Sequence, residues 1–141
     1  VAMLAGGFVA GIRAGFDYNT FPLMDGRLVP AGYFALEPWF LNLFETIPAV
    51  QFNHRLLATL ALGAALWLAV AAWQSRATSA GRAALLLAAV IVVQYALGVA
   101  TLLAVVPVGL GTLHQTVAVL VLAAFVNALE RLRPDAGRGP P

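Results

Sequence analysis

The chain has 141 residues, 62% of them hydrophobic and only 10% charged, with a formal net charge of +2. A water-soluble domain carries about a quarter charged residues, so this chain cannot cover itself with polar surface and most of it must have lipid as its solvent. The absence of cysteine excludes disulfides, thiolate metal sites and cysteine nucleophiles. The eight basic residues are all arginine, as in a GC-rich bacterial genome, and are scattered without any nucleic-acid-binding motif, so no nucleic-acid partner is expected.

The chain opens on VAMLAGGF, without an initiator methionine, a basic n-region or a cleavage site, so it does not read as a signal peptide. Residues 1–15 read as a partial helix, shorter than the about 20 residues a bilayer crossing needs. The expectation is the C-terminal part of a longer protein, cut inside a helix. Gly7, Gly11 and Gly15 recur every four residues, which puts three positions without side chains on one helix face. Such a face admits either a neighbouring helix or a flat cofactor.

Residues 16–47 form a connecting segment that carries Phe16, Tyr18, Phe21, Tyr33, Phe34, Trp39, Phe40 and Phe44. Its stretch EPWFLNLFE fits a short helix in the headgroup region, with Trp39 and Phe40 at the interface. Three full membrane spans follow, at residues 48–74, 82–106 and 108–131. Each is long enough for a hydrocarbon core of about 30 Å, and in lipid each must be a helix, because only a helix satisfies its own backbone. The tail, residues 134–141, is Gly, Pro, Arg, Ala and Asp and is expected to be disordered.

Arginine placement sets the orientation. Arg76 and Arg82 lie in the link after the first full span, and Arg131, Arg133 and Arg138 lie at the end of the chain. The long connecting segment sets Arg13 and Arg27 against Asp17, Asp25, Glu37 and Glu45 and is net acidic. The positive-inside rule then puts the link and the tail in the cytoplasm, with the acidic loop and the VPVG turn outside.

The only histidines are His54 and His114. His54 lies six residues beyond Pro48 and His114 seven beyond Pro107, and both prolines fit the first turn of a helix. The two spans run in the same sense, so the imidazoles stand about 9 and 10.5 Å along their helices, just below the outer surface. Ionisable groups at such depth are expensive unless used. Spacing alone leaves three readings: a bis-histidine heme iron site, a structural hydrogen-bonded pair, and a proton or substrate path. Zinc would want further ligands and a polar pocket. Arg55, on the outward edge beside His54, suits either a heme propionate or a phosphate headgroup. Gln115 and Gln94 are candidate hydrogen-bond partners for the site, and Gln94 serves equally as an interhelical contact.

The segments GFVAGIRAGFDYNTFPLMDGRLVP, PWFLNLFETIPAVQFNHRLLA and GVATLLAVVPVGLGTLHQTVAVLVL closely resemble the C-terminal half of the heme A synthase family, which acts in cytochrome oxidase assembly. The resemblance runs from about Gly6 to Arg133, and the order NTFPLMDG, QFNHR, TLHQ is specific. It implies an all-α, polytopic transmembrane four-helix bundle (first helix truncated), residues 1–133, as half of an eight-helix pseudo-symmetric protein of the bacterial inner membrane. It further implies an oxidoreductase that converts the methyl group of heme O to the formyl group of heme A. In that picture the N-terminal half takes heme O, and the half seen here holds a heme b. His54 and His114 match the iron ligands, with Arg55, Gln51 and Gln115 as neighbouring cofactor contacts near the periplasmic side. Partners implied are lipid, an electron donor, heme O synthase and a second copy of the protein. The catalytic residues are expected in the other half, where a glutamate stands at the position matched here by Gln51. A glutamine cannot act as a general base, so this half reads as ligation and electron relay. Some family members carry an outer-loop cysteine pair, which this chain lacks. The competing readings are a stand-alone bis-histidine heme b electron-transfer module and a structural or transporter fragment in which the histidines only hydrogen-bond.

Overall fold

The structure, a computed structural model, describes residues 1–133; the tail expected to be disordered lies outside the described residues. Among them the chain is helical, with one isolated bridge between Met24 and Arg27. The helices are α1 (Ala2–Gly11), α2 (Asn42–Glu45), α3 (Ile47–Ala72), α4 (Ser79–Leu103) and α5 (Val108–Leu132). Single 3-10 turns lie at Ala14–Phe16, Trp39–Leu41 and Trp73–Ser75. The helices α3, α4 and α5 are apolar and long enough to cross a membrane: at 25 or 26 residues each they reach about 38 Å. The expected all-helical membrane bundle is the fold observed.

Helix boundaries follow capping rather than charge. The helix α4 begins at Ser79, three residues before the expected start at Arg82, because the Thr78 hydroxyl accepts the Gly81 amide at 2.9 Å and starts the helix there. It ends at Leu103, three residues short of Val106, where Val105 and Val106 adopt φ of +59° and +52°. Left-handed backbone at two β-branched residues costs of order 1–3 kcal/mol each. Val106 gains in return a close seat over Gly15, where an added Cβ would lie 3.0 Å from its Cγ2. Pro48 stands in the first turn of α3 as expected, whereas Pro107 is the cap residue of α5. The first helix is shorter than residues 1–15, because Arg13 at φ +56° turns the chain out of it.

The helix α3 packs on α1 and α4, and α4 packs on α5. The buried cluster joins Ala83 and Leu87 of α4 to Ala124 and Ala128 of α5, with Leu68, Ile91 and Val121 against it. All of these lie in the inner halves of their helices, where alanines let the backbones approach. The helices α3 and α5 make no extensive contact with each other.

The connecting segment folds over the outer ends. Asp25 at φ +49° and Gly26 at φ +79° make the tight turn that pairs Met24 with Arg27. The buried Asn42 bonds the amide and carbonyl of Leu36 and the carbonyl of Trp39. Asn19 ties the segment to the carbonyls of Gly15 and Leu102, and Tyr33 donates to Asn53 of α3 at 2.7 Å. The expected helix in EPWFLNLFE is present as the 3-10 turn Trp39–Leu41 running into α2.

A Cβ added at Gly81 would collide with the Ser75 carbonyl, whereas one at Gly63 would meet nothing within 4 Å. Gly81→Ala is therefore expected to destabilise the bundle by about 1–3 kcal/mol, and Gly63→Ala to stabilise it by up to about 1 kcal/mol. Thermal unfolding in detergent checks the opposite signs.

Candidate functional site

His54 and His114 stand seven and six residues into α3 and α5, so from the helix starts their depths agree to within about 1.5 Å. Each imidazole rests on a glycine of the preceding, antiparallel helix. A Cβ at Gly6 of α1 would lie 3.0 Å from His54 Cε1, and one at Gly98 of α4 would lie 2.9 Å from His114 Cε1. The glycines thus make the room in which the rings sit. Of the expected stripe, Gly15 lies beyond α1 against Val106, while Gly7 and Gly11 face open space with nothing within 4 Å.

The two histidines differ in their partners. His54 Nδ1 lies 3.1 Å from the Ala2 carbonyl oxygen. A carbonyl only accepts, so the proton is on Nδ1 and Nε2 keeps its lone pair, the arrangement found in metal-ligating histidines. His114 Nδ1 is buried without a partner, and its Nε2 lies 3.5 Å from Gln94 Nε2.

Arg55 and Gln51 are joined one helical turn apart. Arg55 donates through Nη1 to the Thr20 carbonyl at 2.8 Å and through Nη2 to the Tyr18 carbonyl and, at 3.2 Å, to Gln51 Oε1. Gln51, only 2% exposed, gives its amide nitrogen to the carbonyls of Ala14 and Asp17 at 2.8 and 2.7 Å. Two carbonyl acceptors demand two donors. An ionised carboxylate has none, which is why this position holds glutamine. Gln115, next to His114, is exposed. Tyr95 of α4, not singled out by the sequence, meets Thr59 of α3 at 3.0 Å and packs edge-on to Phe21.

Among the described residues, the buried side-chain polar atoms with no hydrogen-bond partner are Arg55 Nε, Gln94 Oε1 and His114 Nδ1. Each such atom costs about 1–3 kcal/mol, and all three belong to the histidines' immediate sequence neighbours or contacts. Among the described residues, no third His, Asp or Glu groups with the imidazoles. The set fits a flat, iron-centred group: two imidazoles at one depth, on helices that leave each other room, with an arginine donor still free.

A model of the COX15-CtaA family, described as cytochrome oxidase assembly protein, matches residues 1–126. The chain belongs to this family. It is 53% identical over 138 residues to the heme A synthase of Granulibacter bethesdensis, covering 98% of this chain and 36% of that protein. The heme A synthases of Nitrosospira multiformis and Nitrosomonas eutropha are each 48% identical, covering 94% of this chain and 38% and 37% of theirs. The chain thus spans little more than a third of the length of these relatives. No solved structure matches it.

Gly6 and Gly98 escaped the sequence reading. An isolated glycine inside a helix costs about 1 kcal/mol against alanine and usually marks a close approach, and Gly98 carries that signal. The clamp gives a direct expectation. Gln51→Glu sets a carboxylate against two carbonyl oxygens and should destabilise the protein by about 1–3 kcal/mol, while increasing cleavage of residues 16–30 in limited proteolysis.

Proposed function

We propose that residues 1–133 are the heme b-binding, C-terminal half of a heme A synthase. The supporting observation is the pair of glycine-seated imidazoles on α3 and α5, at one depth and on helices that do not pack against each other. In this reading His54 and His114 hold the iron through their Nε2 atoms. The remaining Arg55 Nε–H is the donor a propionate would take, since an arginine keeps its charge. Gln51 acts one step removed, by fixing Arg55 and the loop backbone beneath it. Gln115 is a polar contact at the rim.

Bound there, a six-coordinate heme b supplies reversible one-electron transfer. The chain's own residues position and shield it. The segment clamped by Arg55, Asn19 and Tyr33 covers the outer end, and the alanine-packed inner halves of α4 and α5 close the other. Gln51, a carboxamide, cannot act as a general base, and in this reading both imidazoles are taken up by the iron. Oxidation of the heme O methyl group therefore belongs to the other half of the protein, with this half relaying electrons from a donor. The site lies near the periplasmic face of a bacterial inner membrane, with heme O synthase and a second copy as further partners. The same clamp also suits the second reading, a bis-histidine electron-transfer module without catalysis of its own. A histidine-bearing half elsewhere in the same polypeptide decides for the synthase.

The reduced, purified protein is expected to show the absorption bands of low-spin, six-coordinate heme b. Both His54→Ala and His114→Ala should abolish them, and an unchanged spectrum in the two variants would refute the ligand assignment. Gly98→Ala should displace the His114 ring and lower heme affinity about tenfold. Gly109→Ala, whose Cβ meets nothing within 4 Å, should leave heme content unchanged.

A further inference from the structure

The two histidines share a depth and a glycine seat but not their hydrogen bonding. His54 is fixed at Nδ1 by the Ala2 carbonyl and seated on Gly6, so its Nε2 is aimed and its lone pair committed outward. A carbonyl accepting from the distal nitrogen raises a ligand's basicity and holds its ring. His114 has no such partner: its Nδ1 is buried and unpaired. The polar group that it does meet, Gln94, faces Nε2, the ligating atom, rather than Nδ1.

Gln94 can serve Nε2 in either orientation of its amide. With its N–H toward the ring it donates to the Nε2 lone pair; with Oε1 toward the ring it accepts from an Nε2–H. Oε1 is at present buried without a partner, so the second arrangement would satisfy it. The carboxamide is thus an alternative partner for the atom that would otherwise hold iron. The His54 side offers nothing equivalent, because its hydrogen bond is made at the opposite ring nitrogen.

We propose that the two ligands are unequal: His54 is the fixed ligand, and His114 is the exchangeable one, with Gln94 as the positioning residue that takes its Nε2 when it leaves the iron. This rests on the heme-binding reading above and deepens it. The consequence is that the α5 side of the site opens to a small neutral ligand while the α3 side stays closed.

The test uses the purified chain loaded with heme b, reduced, and titrated with carbon monoxide. The parent protein should be low-spin and take up carbon monoxide slowly. His114→Ala should retain heme in a five-coordinate, high-spin form that binds carbon monoxide at least tenfold faster, whereas His54→Ala should lose most of its heme. Gln94→Leu should keep the low-spin spectrum but slow carbon monoxide uptake several-fold, and Gln94→Glu, which keeps an acceptor, should restore it. Equal heme loss in the two histidine variants, the reverse order, no uptake by the parent, or unchanged uptake in a low-spin Gln94→Leu would each overturn the proposal. A parent protein with no heme spectrum at all would instead overturn the heme-binding reading itself.

Discussion

An imidazole a little below a membrane surface needs space and a partner, and the rest of this structure follows from meeting those two needs. Space comes from deleting a side chain on the facing helix. Gly6 and Gly98 let the rings of His54 and His114 lie against backbone where any Cβ would press on Cε1. The partner comes only for His54, from the Ala2 carbonyl at the start of α1. The His114 ring meets instead the side-chain carboxamide of Gln94, mid-way along α4. The inequality of the two imidazoles is therefore a consequence of which helix positions face them.

The outer segment is held by donors that reach out of α3 rather than by a core of its own. Gln51 and Arg55, one turn apart, collect four backbone carbonyls: those of Ala14, Asp17, Tyr18 and Thr20. Loops covering a membrane site carry unpaired carbonyls that water cannot fully serve, and each left buried and unmade would cost about 1–3 kcal/mol. A guanidinium and a carboxamide provide several donors from two side chains. The arrangement also explains why an arginine stands beside His54 without being repelled into solvent: its charge is spread over carbonyl dipoles.

Much of this was legible in the sequence. The three spans follow from hydropathy and length, and the matched depth of His54 and His114 follows from counting residues along helices that run in the same sense. Boundaries were read less well, because hydropathy marks the first charge, Arg82, while the helix starts at its cap, Thr78. The glycine seats of the imidazoles were missed for a different reason. Spacing tells which residues share a face, but not which way the face turns, and it is Gly6, outside the set of Gly7, Gly11 and Gly15, that meets an imidazole. Arg55 was read as pairing with a propionate or a headgroup; that its Nη1 and Nη2 atoms also serve the Thr20 and Tyr18 carbonyls was not foreseen. Backbone carbonyls carry no sequence signature, so no pattern could have shown that.

The distribution of packing along the bundle gives these local facts a common cause. Alanines at positions 83, 124 and 128, with Leu87, bring α4 and α5 together at the inner end, where nothing need be accommodated. The other halves carry His54, His114, Gln94 and Tyr95, and α3 makes no extensive contact with α5. The buried polar atoms left unpaired there each cost about 1–3 kcal/mol, and they are concentrated where a further group would satisfy them. That concentration of unmet polar demand beside the two imidazoles is what the proposed heme-binding reading rests on.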